Sequence, residues 1–410
     1  MRRLAVAVAW ATEVGPGSQG AEAARRAEYA LRENPLLSAP CRASGPFRRS
    51  SIERQHGSDQ PLPDLFLRTG LMARRTRTAG WGRLFQAGMK MMTGPAKRAG
   101  RAAVSRAVTA GRQAMQPPPG PGDWLGGVAM GPGGARRYRL YRPLGLNFRE
   151  RVPLVVMLHG CGQDAKSFAV STRMNRIAER ERFLVLYPEQ DRLANAQGCW
   201  NWYDTDSGRA YAEAGLIMQA IDQVCLLYPA DRARVAVAGL SAGASMAALL
   251  ASRHPDRFRA VVMHSGIPPG TAHSTMSAIG AMHGRRATRP RAAMLPATAA
   301  SVTSPLPPLL VIHGGADAVV SARNANAAVR MWADAAGGVA GLPRTMQRGK
   351  RYPMEVTDFR AGRRTAARLV EISRLGHAWS GGAPGKAYSD GHGPDASRMA
   401  WTFIAGLLRG

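Results

Sequence analysis

From Val152 onward, apolar residues fall into short unbroken runs that alternate with stretches of helical period. "VPLVVMLHG" and "FLVLYPE" have strand length, end at glycine or just past proline, and predict strands buried on both faces. "RVAVAGL", "FRAVVMHSG", "LPPLLVIHGGAD" and "ARLVEISRLGH" repeat that pattern. Between them, "SFAVSTRMNRIAERER", "AEAGLIMQAIDQVCLLY", "SAGASMAALLASRHP" and "ARNANAAVRMWADAAG" carry the period of helices with one buried face. Pro229 stops the second of these helices, Pro255 the third, and Gly337 with Gly338 the fourth. "RRYRLYRP" reads as an edge strand, and "DASRMAWTFIAGLL" as a closing helix. Strands alternating with helices specify βαβ units, and hence an α/β fold with a mainly parallel sheet flanked by helices.

Residues 1 to about 120 lack this pattern and are rich in Arg, Ala, Gly and Pro. From Arg74 to Arg112 there are about ten basic residues and no acidic one, the composition of a solvated arm. Leu71, Trp81, Leu84, Phe85 and Met89 would give short basic amphipathic helices there an apolar side, suited to a polyanionic or polymer surface. "QPPPGPGDW" at 116–124 reads as a stiff linker, so the expected division is 1–120 for the basic region and 121–410 for the α/β domain. "MRRLAVAVAWA" imitates a signal peptide but is shorter than one, and Met72 and Met89 are alternative starts.

Composition narrows the function. The chain has 410 residues, 45% of them hydrophobic, enough for a sizeable core. Its formal charge of +29 favours contact with polyanions. No run of about 18 apolar residues is present, so no membrane-spanning helix is expected. Four cysteines are too few for a disulfide scaffold in a chain this long. Cys225 falls in a helical pattern and reads as a buried free thiol, while Cys41 lies in the arm. Cys161 and Cys199 each adjoin a glycine near the prospective site, which leaves a bridge between them open. No metal-ligand spacing and no phosphate-binding glycine loop occurs, so no cofactor is expected.

"AGLSAGAS" places Ser241 where a buried strand turns directly into a helix. Such an elbow strains the nucleophile's backbone and needs small neighbours, which Gly239, Ala242, Gly243 and Ala244 provide. The helix start also aims N–H groups and a positive dipole end at developing negative charge. A serine hydroxyl needs a base, and the base needs a carboxylate to orient it. Asp317 follows the "LLVIHG" strand and His377 the "LVEIS" strand, each at a carboxyl end, where open α/β sheets hold their sites. Asp317 could instead cap the next helix; Asp334, within that helix, is a weaker rival, and His392 is the second choice of base. His159 and His264 read as structural. The turn "LHGCGQDA" offers the Cys161 N–H, or alternatively that of Gly162, as an oxyanion donor alongside the Ala242 N–H. Trp200, Trp202, Tyr203 and Trp379 either wall an acyl or alkoxy group or simply anchor their loops.

From about Asp123 to the end, the chain resembles the esterase family of poly(3-hydroxybutyrate) depolymerases, related to feruloyl and acetylxylan esterases of the α/β-hydrolase superfamily. The resemblance rests on "PLVVMLHGCGQDAKSFA", "FLVLYPEQ", "GCWNW", "VAVAGLSAGASM", "HGGADAVV" and "GHAWSGG". It implies an α/β-hydrolase fold with Ser241 as nucleophile, Asp317 as acid, His377 as base and Cys161 as an oxyanion donor. It further implies a Cys161–Cys199 disulfide joining the oxyanion turn to the Trp200/Trp202 loop. Hydroxyalkanoate esters are the expected substrates, with feruloyl or acetyl carbohydrate esters as the alternative. A surface- or granule-binding protein tethered by its basic arm is a reading from another class. Many family members that digest solid polymer carry a further binding domain, whereas Gly410 here comes directly after the closing helix. An extracellular or periplasmic location follows from the resemblance, with the cytoplasm as alternative. The insert "TAHSTMSAIGAMHGRRATRPRAAMLPATAASVTSPLPP" suggests part of a lid.

Overall fold

The computed structural model describes residues 120–285 and 304–408. The basic arm, Cys41, the signal-like N-terminus and most of the second half of the lid insert lie outside them. The chain opens with β1 (Asp123–Gly131), β2 (Gly134–Arg142), β3 (Val152–Leu158), α1 (Ala165–Thr172), α2 (Met174–Glu181) and β4 (Leu184–Pro188). It continues through α3 (Arg209–Leu227), β5 (Ala230–Leu240), α4 (Ala242–Arg253), β6 (Ala260–His264), α5 (Thr275–Met282), β7 (Leu309–Gly314) and α6 (Arg323–Ala336). It closes with β8 (Val339–Ala340), β9 (Arg344–Met346), β10 (Met354–Ala361), β11 (Arg364–Ile372), β12 (Trp379–Ser380), β13 (Ser389–Asp390) and α7 (Ala396–Leu408).

The main sheet runs β1-β2-β4-β3-β5-β6-β7-β11-β10-β8, with β9 also paired to β10. Strands β4, β3, β5, β6, β7 and β11 are mutually parallel, and antiparallel pairs flank them on both sides. The central stretches of the parallel strands are largely apolar because both faces are covered. Leu154, Val156, Leu158, Val235, Val237, Val261 and Val311 pack on the face of α3, α4 and α6. The alternating Val155, Met157, Ala236, Ala238, Val262 and Ile312 pack on the face of α1, α2 and α7. Each fully buried Val, Leu or Ile contributes about 1.5–3 kcal/mol, so these strands form a rigid floor for the loops at their carboxyl ends.

Three sequence expectations change. "RRYRLYRP" is not at the edge: β1 pairs outside it, from Asp123 opposite Arg142 to Gly131 opposite Gly134. The stretch read as linker at 116–124 therefore gives way to strand at Asp123. Gly126 and Gly127 hid β1, since glycine is a poor strand former. The Tyr138 ring occupies the space a Gly127 side chain would need, its Cζ 2.2 Å from where a Cβ would lie. Second, "SFAVSTRMNRIAERER" forms two helices. Arg173 between them is left-handed (φ 56°), and its guanidinium donates to the Gly382 carbonyl at 2.7 Å. Third, β8–β10 were not read at all. In β10 the inward series Met354, Val356, Asp358 includes a charge, held by Arg344 and Arg368.

Candidate active site

Ser241 occupies the junction between β5 and α4 and adopts φ 56°, ψ −121°. A non-glycine residue at such dihedrals costs about 1–3 kcal/mol and persists only when its surroundings impose it. The imposing contacts are visible. The Ser241 N–H donates to the His264 carbonyl at 2.9 Å, and the Ser245 N–H closes the first helical turn on the Ser241 carbonyl. A Cβ on Gly239 would lie 2.4 Å from the Gly243 backbone, and one on Gly243 would lie 2.2 Å from the Leu158 carbonyl oxygen. The two glycines therefore let the elbow close against itself and against β3. The first N–H groups of α4 have no intrahelical acceptor and face the carboxyl edge of the sheet.

Asp317 follows β7 and His377 follows β11, the neighbouring strand. Their two loops are laced together: the Gly315 N–H donates to the Ile372 carbonyl and the Ala316 N–H to that of Leu375. Gly314 is needed at this crossing, because a Cβ there would lie 2.1 Å from the Leu375 carbonyl oxygen. The outcome is a His377 Nδ1–H donating to Asp317 Oδ2 at 2.8 Å, between groups 60 residues apart. An ionised carboxylate only accepts, so Nδ1 carries the proton and Nε2 presents its lone pair. Asp317 Oδ1 accepts from the Val319 and Val320 N–H groups, each at 2.9 Å. Ala322, not Asp317, is the cap residue of α6. Burial alone would raise the Asp317 pKa, but the His377 hydrogen bond, the neighbouring imidazoles and the Val320 N–H outweigh it and hold it at about 2.

Two further histidines stand beside this pair. His264 is fully buried, stacks on Trp379 and accepts from the Ser380 N–H at 3.2 Å, which ties down the chain just beyond His377. Burial, then the nearby imidazoles, push its pKa down to about 3. His313 was not singled out from the sequence. Its Nε2–H donates to the Val320 carbonyl at 2.8 Å and lies 3.6 Å from Asp317 Oδ2. A histidine ending an otherwise apolar strand, four residues before the acid, was the available signal. His392 is exposed and pairs with Asp390, away from this arrangement, and Asp334 is exposed on α6.

Cys161 and Cys199 form a disulfide with Cα atoms 4.2 Å apart, while Cys225 is a buried free thiol. The bridge ties the turn after β3 to the loop that carries the tryptophans. The Gly162 N–H donates to the Gln197 carbonyl at 2.9 Å and is thereby already engaged. His159 is structural: Nδ1 bonds the Gly160 carbonyl, Nε2 accepts from the Gln190 N–H, and burial lowers its pKa to about 4.

The tryptophans require a correction. Trp200 and Trp379 expose no surface at all. Trp200 donates to the His159 carbonyl at 3.0 Å, and Trp379 donates to Ser397 Oγ and meets Phe168 edge-on. Both anchor loops to the core and offer no face to a substrate. Trp202 is nearly buried as well, set edge-on against Tyr203. Among the described residues no helix is long and apolar enough to cross a membrane.

Residues 136–341 match the family model described as esterase PHB depolymerase. The chain is 33% identical to poly(3-hydroxyalkanoate) depolymerase C of Paucimonas lemoignei over 183 residues, 44% of this chain and 44% of that protein. It is 27% identical to feruloyl esterase B of Neurospora crassa over 223 residues, 50% of this chain and 74% of that one. The chain thus spans less than half the length of the depolymerase it matches. Among solved structures, an acetyl xylan esterase from Aspergillus awamori superimposes with a TM-score of 0.53 at 20% identity, over 69% of this chain and all of that one. That likeness identifies the fold as an α/β-hydrolase fold.

Proposed function

Since the chain belongs to the family of PHB depolymerase esterases, we propose that it is a serine esterase that cleaves carboxylic esters through an acyl-enzyme. The observation that carries this reading is the buried His377–Asp317 hydrogen bond, at the same sheet edge as the strained Ser241. His377 Nε2 takes the Ser241 proton as Oγ attacks the ester carbonyl, and the Asp317 carboxylate stabilises the imidazolium that forms. The Ala242 and Cys161 N–H groups receive the oxyanion, each such donor contributing about 10²–10³ in rate. His377 then protonates the departing alcohol, and water, activated by the same imidazole, releases the acid.

Within that class we assign hydroxyalkanoate oligomers as substrate, a choice supported by the likeness to the Paucimonas lemoignei depolymerase. The Cys161–Cys199 bridge supports an exported enzyme, since disulfides persist in oxidising compartments. The test compares wild type with Ser241→Ala on a 4-nitrophenyl butyrate substrate, then on 3-hydroxybutyrate oligomers, feruloyl esters and acetylated xylan. Loss of about 10³-fold or more in kcat with an unchanged melting curve is expected. Retained activity in the folded variant would remove the mechanism. Preference for feruloyl or acetyl esters would replace the substrate.

A further inference from the structure

The chain between β4 and α3, residues 189–208, contains neither helix nor strand, yet Cys199, Trp200 and Asn201 within it are almost fully buried. Its polar groups must therefore find partners outside a regular ladder. They converge on Glu213, a carboxylate on α3 that is 3% exposed. Glu213 Oε1 accepts from Gln190 Nε2 at 2.7 Å and from Asn201 Nδ2 at 2.6 Å, and Oε2 accepts from the Asn201 N–H at 2.9 Å. Gln190 extends the network in two directions. Its side-chain oxygen accepts from the buried Arg136 guanidinium, and its backbone N–H donates to His159 Nε2 at 3.1 Å. The same loop reaches the oxyanion turn through Trp200 to the His159 carbonyl, Gln197 to the Gly162 N–H, and the disulfide.

Buried charges are costly unless fully partnered, and apolar packing of the same volume usually stabilises as well or better. A carboxylate and a guanidinium joined through one amide thus call for a reason beyond stability. The group they fix is the turn that presents the Cys161 N–H. We propose that Glu213 is a positioning residue for ester hydrolysis: through Gln190, Asn201 and His159 it holds the Cys161 N–H where the oxyanion forms. This inference rests on the serine-esterase reading above. Displacement of a catalytic donor by about 1 Å costs about 10²-fold in rate, whereas ground-state ester binding barely senses it.

The experiment uses the full chain with Glu213→Gln, which turns one acceptor into a donor facing an N–H, and Gln190→Met, which removes the side-chain amide that bonds Glu213, Arg136 and the Cys199 carbonyl. The readouts are kcat and KM on 4-nitrophenyl butyrate, thermal melting, and inhibition by butylboronic acid. The boron of that probe accepts the Ser241 Oγ lone pair and sets an oxygen in the oxyanion position. Expected in both variants is a fall in kcat of about 10- to 100-fold with KM within about threefold. Boronate affinity should weaken by a similar factor. Wild-type kcat and boronate affinity with a lowered melting temperature would make Glu213 merely structural and overturn the proposal. Failure of both variants to fold would assign the network to the fold and overturn it equally. Activity surviving in Ser241→Ala would instead sink the underlying reading, so the two failures are distinguishable.

Discussion

Gly243→Ala sets two effects of known size against each other. Gly243 lies in the first turn of α4 with ordinary helical dihedrals, and alanine there gains up to about 1 kcal/mol in helix propensity. A Cβ at this position, however, would stand 2.2 Å from the Leu158 carbonyl oxygen and 2.5 Å from that of His159. Ordinary contact needs about 3.5 Å, so elbow and strand must separate by about 1 Å. β3 cannot yield, because it is paired to β4 on one side and β5 on the other. The strain therefore falls on Ser241, Ala242 and the turn at Cys161. Overpacking of this kind costs about 1–3 kcal/mol, which outweighs the propensity gain and leaves a net loss of about 0–2 kcal/mol. Activity should suffer more, since the variant moves apart the Cys161 and Ala242 N–H groups proposed as oxyanion donors: a fall of about 10²-fold or more in kcat, with KM little changed. Gly215→Ala is the control, because that glycine lies in α3 with open space around it. It should raise the melting temperature slightly at full activity. A Gly243→Ala enzyme with wild-type kcat and an equal or higher melting temperature would refute the reasoning.

Two further outcomes follow from the buried groups. His159 and His264 are held neutral with pKa values near 4 and 3, so the unfolded chain binds two protons that the folded chain refuses. Stability is then lost as pH falls below about 6.5, by about 5 kcal/mol in total at pH 4.5, and denaturant melts across that range should show it. Asp317, depressed to about 2, contributes stability above about pH 4 that disappears only as pH falls further. A flat stability profile between pH 6.5 and 4.5 would contradict the burial of these imidazoles. The Cys161–Cys199 bridge closes a loop of sequence separation 38, which corresponds to about 4 kcal/mol of chain entropy. Reduction should therefore lower the denaturation midpoint measurably and reduce kcat through the turn proposed to hold the oxyanion, and an unchanged kcat in the reduced, folded enzyme would free that turn of the disulfide.

The parallel centre of the sheet was legible because burial on both faces leaves a continuous apolar run, and no other common element of that length reads the same way. The flanks were not, for the opposite reason. β1 carries glycines that Tyr138 and Arg139 cover, and β10 carries a buried Asp358 neutralised by arginines from other segments. In both, the partner that makes the residue acceptable in a strand lies elsewhere in the chain. The same distinction explains the site. Ser241, Asp317 and His377 could be proposed from the chain because each comes after a predicted strand, and the small residues around Ser241 and the order of the three narrowed the choice.

Trp200, Trp379 and Glu213 show what periodicity cannot supply. An aromatic in a loop has the same sequence signature whether it lines a pocket or plugs the core, and only the Trp200 bond to His159 and the Trp379 bond to Ser397 decide between them. Glu213, flanked by alanines in a helical stretch, reads as part of a solvated face. It is buried because the irregular segment of residues 189–208 folds over it and needs an acceptor. The groups that form bonds with a substrate must stand at fixed exits of the sheet, and the strand pattern announces those exits. The groups that hold them there are chosen by whichever loop happens to need a donor or an acceptor, which is a three-dimensional condition. A reading of the chain alone therefore finds the proposed reacting atoms before it finds what keeps them in place, and the turn after β3, tied down by a disulfide, a Trp200 bond and the Gln190 and Gln197 backbone groups of another loop, is where the two kinds of information differ most.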